Sequence, residues 1–585
     1  MLTLFFVENL DDSGPGSFRA AIDAANLSAG PDQINFQTWG KLHLTSQLPT
    51  ITDSVYIFGT GADVLTIDAG NGADQIPGTV DGFGVFSIDK PAGSIDVDIR
   101  YMSITGGDVG GRGGAIDNRE NLTITDCRIV GNAAYDGGGG IYNTGTMTIS
   151  SSTVSTNAAN FKNGGGVFNT GTLNVSNSTI SGNSASNGGG LFSSGGMVTI
   201  TNSTISGNAV SGDGGGVGNV ASAMTIANST IASNYAQKGG GIFNYGTTTI
   251  TNTTISRNSA RSNGGGIVNF FSATITSSTI SGNSASEGGG IFNEFTATIA
   301  GSLITGNSAP TGSEIRRAQG TVNLNAFNLI GESSKTTAQA LSGVSTGPND
   351  ILATSNGTVP TALAAIIAPR ANNGGPTETH ALVAGSPAIN AGNPNFTPPP
   401  NFDQRGAGYE RVVNGRVDIG ALEVQAPSAD FDGDGDVDGR DLLAWQRGFG
   451  TPAPTADKSQ GDADNNLAVD GDDLTVWQGQ YGMGSFVAEV EEGVGDGEQR
   501  TEIADLGFLM TDDGEKEGSP LVILVPASST AGQASSGTLA VEDLYVEEVD
   551  RAIQQFATMP SGVRSFGEMV ARRGVAKDRV GIEAL

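Results

Sequence analysis

The chain has 585 residues, too many for one ordinary globular core, so several domains or a repeat architecture are expected. Glycine supplies 89 of them and charged residues only 15%, a pairing that excludes a predominantly helical protein and suits tightly turned, stacked coils. The net charge of -31 is concentrated after Ala426, where roughly half of the 60 acidic side chains lie, which sets the chain against nucleic acid and makes calcium a natural counter-ion.

At the start, Leu2 to Val7 is apolar but shorter than a signal-peptide core, and no basic segment or small-residue cleavage site accompanies it. No signal peptide is therefore evident, which leaves a truncated start or another export route. No run approaches the length of a transmembrane segment. Asp11 to Ser17 followed by Phe18 to Asn26 predicts a short amphipathic helix covering the first coil, so residues 1–45 read as an N-terminal cap.

Residues 46–330 repeat. A Gly-Gly-Gly-apolar-aromatic-Asn block places its apolar residue at Ile116, Ile141, Val167, Leu191, Val217, Ile242, Ile267 and Ile291, in steps of 24 to 26 residues. A second block, Ser-Thr-Ile-x-Gly-Asn, runs in phase and places Asn at 132, 157, 183, 208, 234, 258, 283 and 307. Between them lie period-2 runs such as Thr146 to Ile149, Leu173 to Val175 and Val198 to Ile200. Each coil thus offers three short strands, and stacking at about 4.8 Å pairs each strand with its equivalents above and below. The expected fold is all-β, a right-handed single-stranded parallel β-helix of about 25 residues per coil. The recurring Asn is expected to sit in the left-handed region and to bond its counterpart in the next coil. Tyr142, Phe168, Phe192, Phe243 and Phe292 are expected to stack, interrupted at Gly218 and Val268. The single cysteine, Cys127, excludes an intramolecular disulfide framework and reads as a small core residue.

These blocks resemble the repeats of polymorphic outer-membrane proteins and of pectin-lyase-like β-helix surface proteins. Asn9-Leu-Asp-Asp-Ser-Gly-Pro-Gly-Ser-Phe-Arg-Ala-Ala-Ile22 resembles the cap of bacterial members. Asn373 to Leu382, Gly385 to Ile389, Asp403 to Gly406 and Val417 to Glu423 resemble the choice-of-anchor Q segment that closes many such solenoids, so residues 331–426 read as a closing segment. Unlike polymorphic membrane proteins, the chain carries no sequence that reads as a membrane β-barrel.

Residues 427–484 carry the strongest chemical signal. Asp430, Asp432, Asp434, Asp436, Asp438 and Asp441 occupy positions 1, 3, 5, 7, 9 and 12 of a calcium loop, with Gly435 at the sharp turn. Asp430, Asp432 and Asp434 are expected to bind directly, Asp436 through its carbonyl, Asp438 through water and Asp441 with both oxygens. A second copy places Asp462, Asp464, Asn466, Ala468, Asp470 and Asp473 at the same positions, with Leu467 in place of the glycine, so its affinity is expected to be lower. The following helix is duplicated too, as Asp441-Leu-Leu-Ala-Trp-Gln and Asp473-Leu-Thr-Val-Trp-Gln. Two such loop-helix units resemble a type I dockerin, which implies two Ca²⁺ ions and a cohesin-like partner. The positions mapping to its recognition residues, Gly439, Arg440, Gly471 and Asp472, lack the usual Ser/Thr character. The competing readings are an acidic linker and a purely structural calcium module.

Catalytic signals are sparse. The residue before each Gly triplet reads Arg112, Gly137, Asn163, Asn187, Asp213, Lys238, Asn263 and Glu287, so Asp213 and Lys238 become column neighbours. They are the candidate catalytic pair, against the reading of a solvated ion pair on the outer face. A hydrolase or lyase site needs further ionisable groups on that face. His380 lies in the closing motif and reads as a structural hydrogen bonder, and His43 offers no better case. Residues 485–585 read as an acidic, partly disordered linker followed by helical patterning from Val541 to Phe556. The combined expectation is an extracellular or cell-surface solenoid for adhesion, scaffolding or glycan contact, tethered through a calcium-dependent module. The alternative is a polysaccharide lyase or glycoside hydrolase.

Overall fold

The computed structural model describes residues 2–481 apart from 73–77, 80, 414, 426, 433–436, 453–455, 457 and 465–467. The expected tail lies outside the described residues. The chain divides into two compact units at Val424/Gln425, and each is described by itself.

The first unit is a parallel β-solenoid. One coil shows the plan: Ile141–Asn143 and Thr146–Ser150 lie in one sheet, Thr153–Ser155 in a second and Ala158–Ala159 in a third. The strands pair in parallel with their equivalents one repeat away, residue for residue apart from register shifts after Val220, Ala236 and Ile299, as in Ile141 with Val167, Met147 with Leu173 and Val154 with Ile180. Because side chains alternate along a strand, this register drives the same positions inward in every coil. Ile116, Ile141, Val167, Leu191, Val217, Ile242 and Ile291 are fully buried in one continuous column. Pairing already begins at Thr3–Val7 and extends to Ile351–Leu352, so the stack runs beyond the repeat at both ends.

The recurring Asn side chains form a buried ladder. From Asn132 to Asn307, each Nδ2 donates to the Oδ1 of the next at 2.9–3.0 Å. The left-handed residue is not the Asn, as expected from sequence, but the one before it, such as Gly131, Thr156 or Arg257. The reason is geometric: the positive-φ residue turns the chain so that the next side chain points inward, where its amide meets the adjoining coil. The Asn of the triplet block builds a second ladder, with Asn118 bonding Asn143 and Asn143 bonding Asn169, each at 2.7 Å. The last glycine of a triplet faces a backbone carbonyl of the next coil. A Cβ on Gly166 would lie 2.6 Å from the Gly190 oxygen, which no side chain tolerates.

Tyr142, Phe168 and Phe192 stack as expected, at 4.8 and 5.7 Å. Gly218 leaves room for the Phe192 ring, which a Cβ there would meet at 2.7 Å. Above that gap the expected column changes form. Phe270 enters edge-on between Phe243 and Phe292, at 5.4 and 6.4 Å, while Val268 is buried.

The helix Phe18–Leu27, capped by the Ser17 hydroxyl, buries Phe18, Ala21, Ile22 and Ala25 against the first coils, with Phe18 4.8 Å from Phe36. At the other end, Asn307 donates to the buried Glu314 carboxylate, which terminates the ladder. The first part of the expected closing segment continues the stack, Leu341–Ser342 pairing with Ile315–Arg316 and Ile351–Leu352 with Leu329–Ile330, while the later part folds back along the flank of the second sheet. Thr230 donates to the Glu378 carbonyl at 2.6 Å, Thr254 to Gln404 at 2.7 Å, and the Ala421 N–H donates to Thr279 at 3.0 Å. Outward residues of Thr230–Ala232, Thr254–Ser256, Thr279–Ser281 and Leu303–Thr305 are consequently buried. Their equivalents in Thr153–Ser155, Thr179–Ser181 and Thr204–Ser206 stay half-buried. Within this strap, Arg405 pairs with the buried Asp403 at 2.7 Å, and the Glu423 N–H donates to the same carboxylate.

His380 docks the strap: Nε2 lies 2.9 Å from Ser256 Oγ and Nδ1 2.8 Å from the Ala368 carbonyl. Burial pushes its pKa down from 6.5 to about 4. A depressed imidazole pKa stabilises the fold above about pH 6.5 and is lost as pH falls through 4. The strap should therefore weaken by at most about 3 kcal/mol between these limits, read as faster proteolysis within residues 363–423, and His380→Gln should flatten that dependence. For the ladder, Asn208→Ala removes a side chain that accepts from Asn183 N and Nδ2 and donates to Ile180 O and Asn234 Oδ1. The buried partners left behind should cost about 3 kcal/mol or more, seen as a lower urea midpoint.

Candidate metal centre

The second unit is built from two copies of one loop and helix. Asp438 caps the helix Gly439–Gly448, its carboxylate accepting from the Arg440 N–H at 2.7 Å. Three residues on, Asp441 closes the loop with both oxygens. One accepts from the N–H groups of Phe431 and Asp432, at 2.5 and 3.2 Å, and the other from the Asp438 N–H at 2.8 Å. The second copy repeats these contacts around the helix Gly471–Gln480. Asp470 caps it, and Asp473 accepts from Ala463, Asp464 and Asp470 at 2.7, 3.1 and 2.8 Å.

This clamping draws Asp430, Asp432 and Asp441 together in the first loop, and Asp462, Asp464 and Asp473 in the second. In each set one oxygen per carboxylate lies within 4.8 Å of the others. Asp441 and Asp473 are fully buried, and burial pushes Asp441 up to about 6. Three converging carboxylates, one without solvent, form an all-oxygen donor set that suits a hard divalent cation. Asp438 and Asp470 spend their carboxylates on the helix caps, outside these triads. Ala468 has only its backbone oxygen to offer. Asp434, Asp436 and Asn466 lie outside the described residues.

The two copies share one small core of Phe431, Val437, Leu442, Trp445, Ala463, Val469 and Trp477. The tryptophans cross over. Trp445 Nε1 donates to the Asp470 carbonyl at 2.9 Å, and Trp477 Nε1 to the Asp438 carbonyl at 3.0 Å. Sequence reading found these residues only as part of the duplicated helix. Their identical offset in both copies was the available signal.

On the solenoid, Asp213 and Lys238 are neighbours in the expected column. They form no contact ion pair, because Lys238 turns over the Phe270 ring, 5.6 Å from its centre. Burial raises the Asp213 pKa, and Lys238 opposes that rise. A second group, missed in sequence, assembles from adjacent coils. Arg119 bridges Asp89 at 2.8 Å and Asp117 at 3.4 Å, and Arg112 lies over the Tyr142 ring. Burial raises Asp117 despite Arg119 and Arg112. The coil offset here is 30 residues, with Asp117 lying opposite Ser87, so the 25-residue template did not align this group. His43 approaches Asp68 at 3.4 Å beside Lys41. Cys127 is buried, with its thiol pushed up to about 12 by burial.

No family model matches the sequence, and no curated protein matches it. Among solved structures the chain is similar to pectate lyase Pel9A, at 14% identity and a TM-score of 0.34, over 72% of this chain and 96% of that one. It is similar to the A-module of mannuronan C-5 epimerase AlgE6 from Azotobacter vinelandii, at 17% identity and 0.35, over 54% and 97%. A third, ORF18 of Geobacillus virus E2, gives 13% and 0.25, over 56% and 61%. No helix among the described residues is long and apolar enough to cross a membrane.

Asp441→Ala strips three backbone N–H groups of their acceptor. It should destabilise the second unit by about 2–3 kcal/mol and leave the solenoid transition unmoved, measured by domain-resolved hydrogen exchange.

Proposed function

We propose that the protein is an extracellular or cell-surface solenoid that contacts glycans, with a two-calcium module as its tether. The observation that carries the reading is the pair of matching carboxylate triads, Asp430/Asp432/Asp441 and Asp462/Asp464/Asp473. When bound, calcium supplies positive charge that offsets the mutual repulsion of these carboxylates. The protein's own part is to hold them, through backbone donors to Asp441 and Asp473 and through the capped helices. A cohesin-like or other surface protein is the partner we assign to the module. Arg440 and Asp472, exposed at the helix starts, are the side chains it offers there.

Glycan contact is supported by rings left in solvent on successive coils. Tyr245, Phe271 and Phe295 are each about half exposed, and the last two stack at 5.6 Å. Exposed aromatic faces of this kind suit the apolar faces of a sugar chain. The enzymatic reading, a polysaccharide lyase or glycoside hydrolase, rests on Asp117 beside Asp89 and on Asp213 beside Lys238.

Calorimetry with calcium, followed by a polysaccharide panel, separates these readings. Two calcium ions per chain are expected, with residues 425–481 opened to protease by chelation while the solenoid persists. The panel is expected to give retention without new reducing ends or unsaturated uronate. Product release abolished by Asp117→Asn or Asp213→Asn would establish the enzyme instead.

A further inference from the structure

The crossed indole bonds link the two carboxylate triads through their ends. Trp477, on the second helix, donates to the carbonyl of Asp438 in the first loop. The N–H of that same Asp438 is held by Asp441, the buried member of the first triad. Trp445, on the first helix, holds the carbonyl of Asp470, whose N–H is bound by Asp473 in the second triad. Each triad is therefore braced at one peptide by its own helix and at the adjoining carbonyl by the other helix.

Both indoles are nearly buried and are fixed by neighbouring rings. Trp445 packs 5.0 Å from Phe449, and Trp477 packs 4.9 Å from Tyr481. A loop carbonyl held by so immobile a donor is set before any ion arrives, and pre-setting a loop removes part of the ordering cost of binding. We propose that Trp445 and Trp477 are crossed positioning residues, each setting the calcium affinity of the loop that belongs to the other helix. The inference rests on the calcium reading above.

The test uses the full chain in two single-site backgrounds, Asp430→Asn with Asp441→Asn and Asp462→Asn with Asp473→Asn, titrated with calcium by calorimetry. With only the second triad intact, Trp445→Phe should weaken binding about 5- to 10-fold, the loss of one buried hydrogen bond. Trp477→Phe should change it less than about twofold. With only the first triad intact, the order reverses. A merely structural tryptophan would lower both sites alike, and that result, or a loss confined to the tryptophan's own loop, would overturn the inference. A second measurement needs no tryptophan change: the chain has three tryptophans, so indole N–H exchange is followed individually by ¹⁵N labelling. Filling the first triad alone should slow exchange at Trp477 more than at Trp445, and equal slowing would overturn the proposal. If the unaltered chain takes up no calcium, the calcium reading itself fails, a result distinguishable from an uncrossed pattern.

Discussion

The solenoid depends on a single repeated bond, an amide inside the coil that must meet the amide of the next coil at hydrogen-bond distance. A buried Asn without its partner costs more than an apolar side chain would. Each ladder position therefore fixes the register of the coil above it. Strand pairing, apolar columns and triplet glycines then follow from one alignment. The positive-φ residue before each Asn is the local condition for that bond, which is why Gly, Thr, Ser and Arg all occupy the site while Asn itself recurs.

What was legible in the sequence follows from this periodicity. Motifs that recur in phase, such as the Asn at 132 to 307 and the Ile column, state their neighbours directly, and the parallel coils lie where the spacing put them. The left-handed residue was misplaced by one position because Asn is the familiar occupant of that region, and composition does not show which member of Gly-Asn turns. Phe270 was missed because it stands outside the repeating aromatic position. The strap's path was not legible at all: its hydroxyl and carbonyl contacts join residues about 150 positions apart, and no period connects them.

The two acidic loops were read from ligand spacing, and the structure brings six of those carboxylates into two triads. Spacing did not reveal that Asp438 and Asp470 also serve as helix caps, so that one residue both starts a helix and receives the opposite tryptophan. Duplication explains the arrangement. Two copies of a half too small to bury its own aromatic residue each lend it to the other, and the shared core of Trp445, Trp477, Val437 and Val469 is the result.

The strap gives the solenoid an asymmetry in how its length is set. Coils carrying Thr179–Ser181 and Thr204–Ser206 touch little beyond the coils on either side, so one more or one fewer there would still find matching ladder amides. Between Thr230 and Leu303 the same change would offset every hydroxyl from its strap partner by one coil. The protein thus has a segment whose coil number is free to drift by whole repeats and a segment whose coil number is locked, and the boundary falls between Ser206 and Thr230.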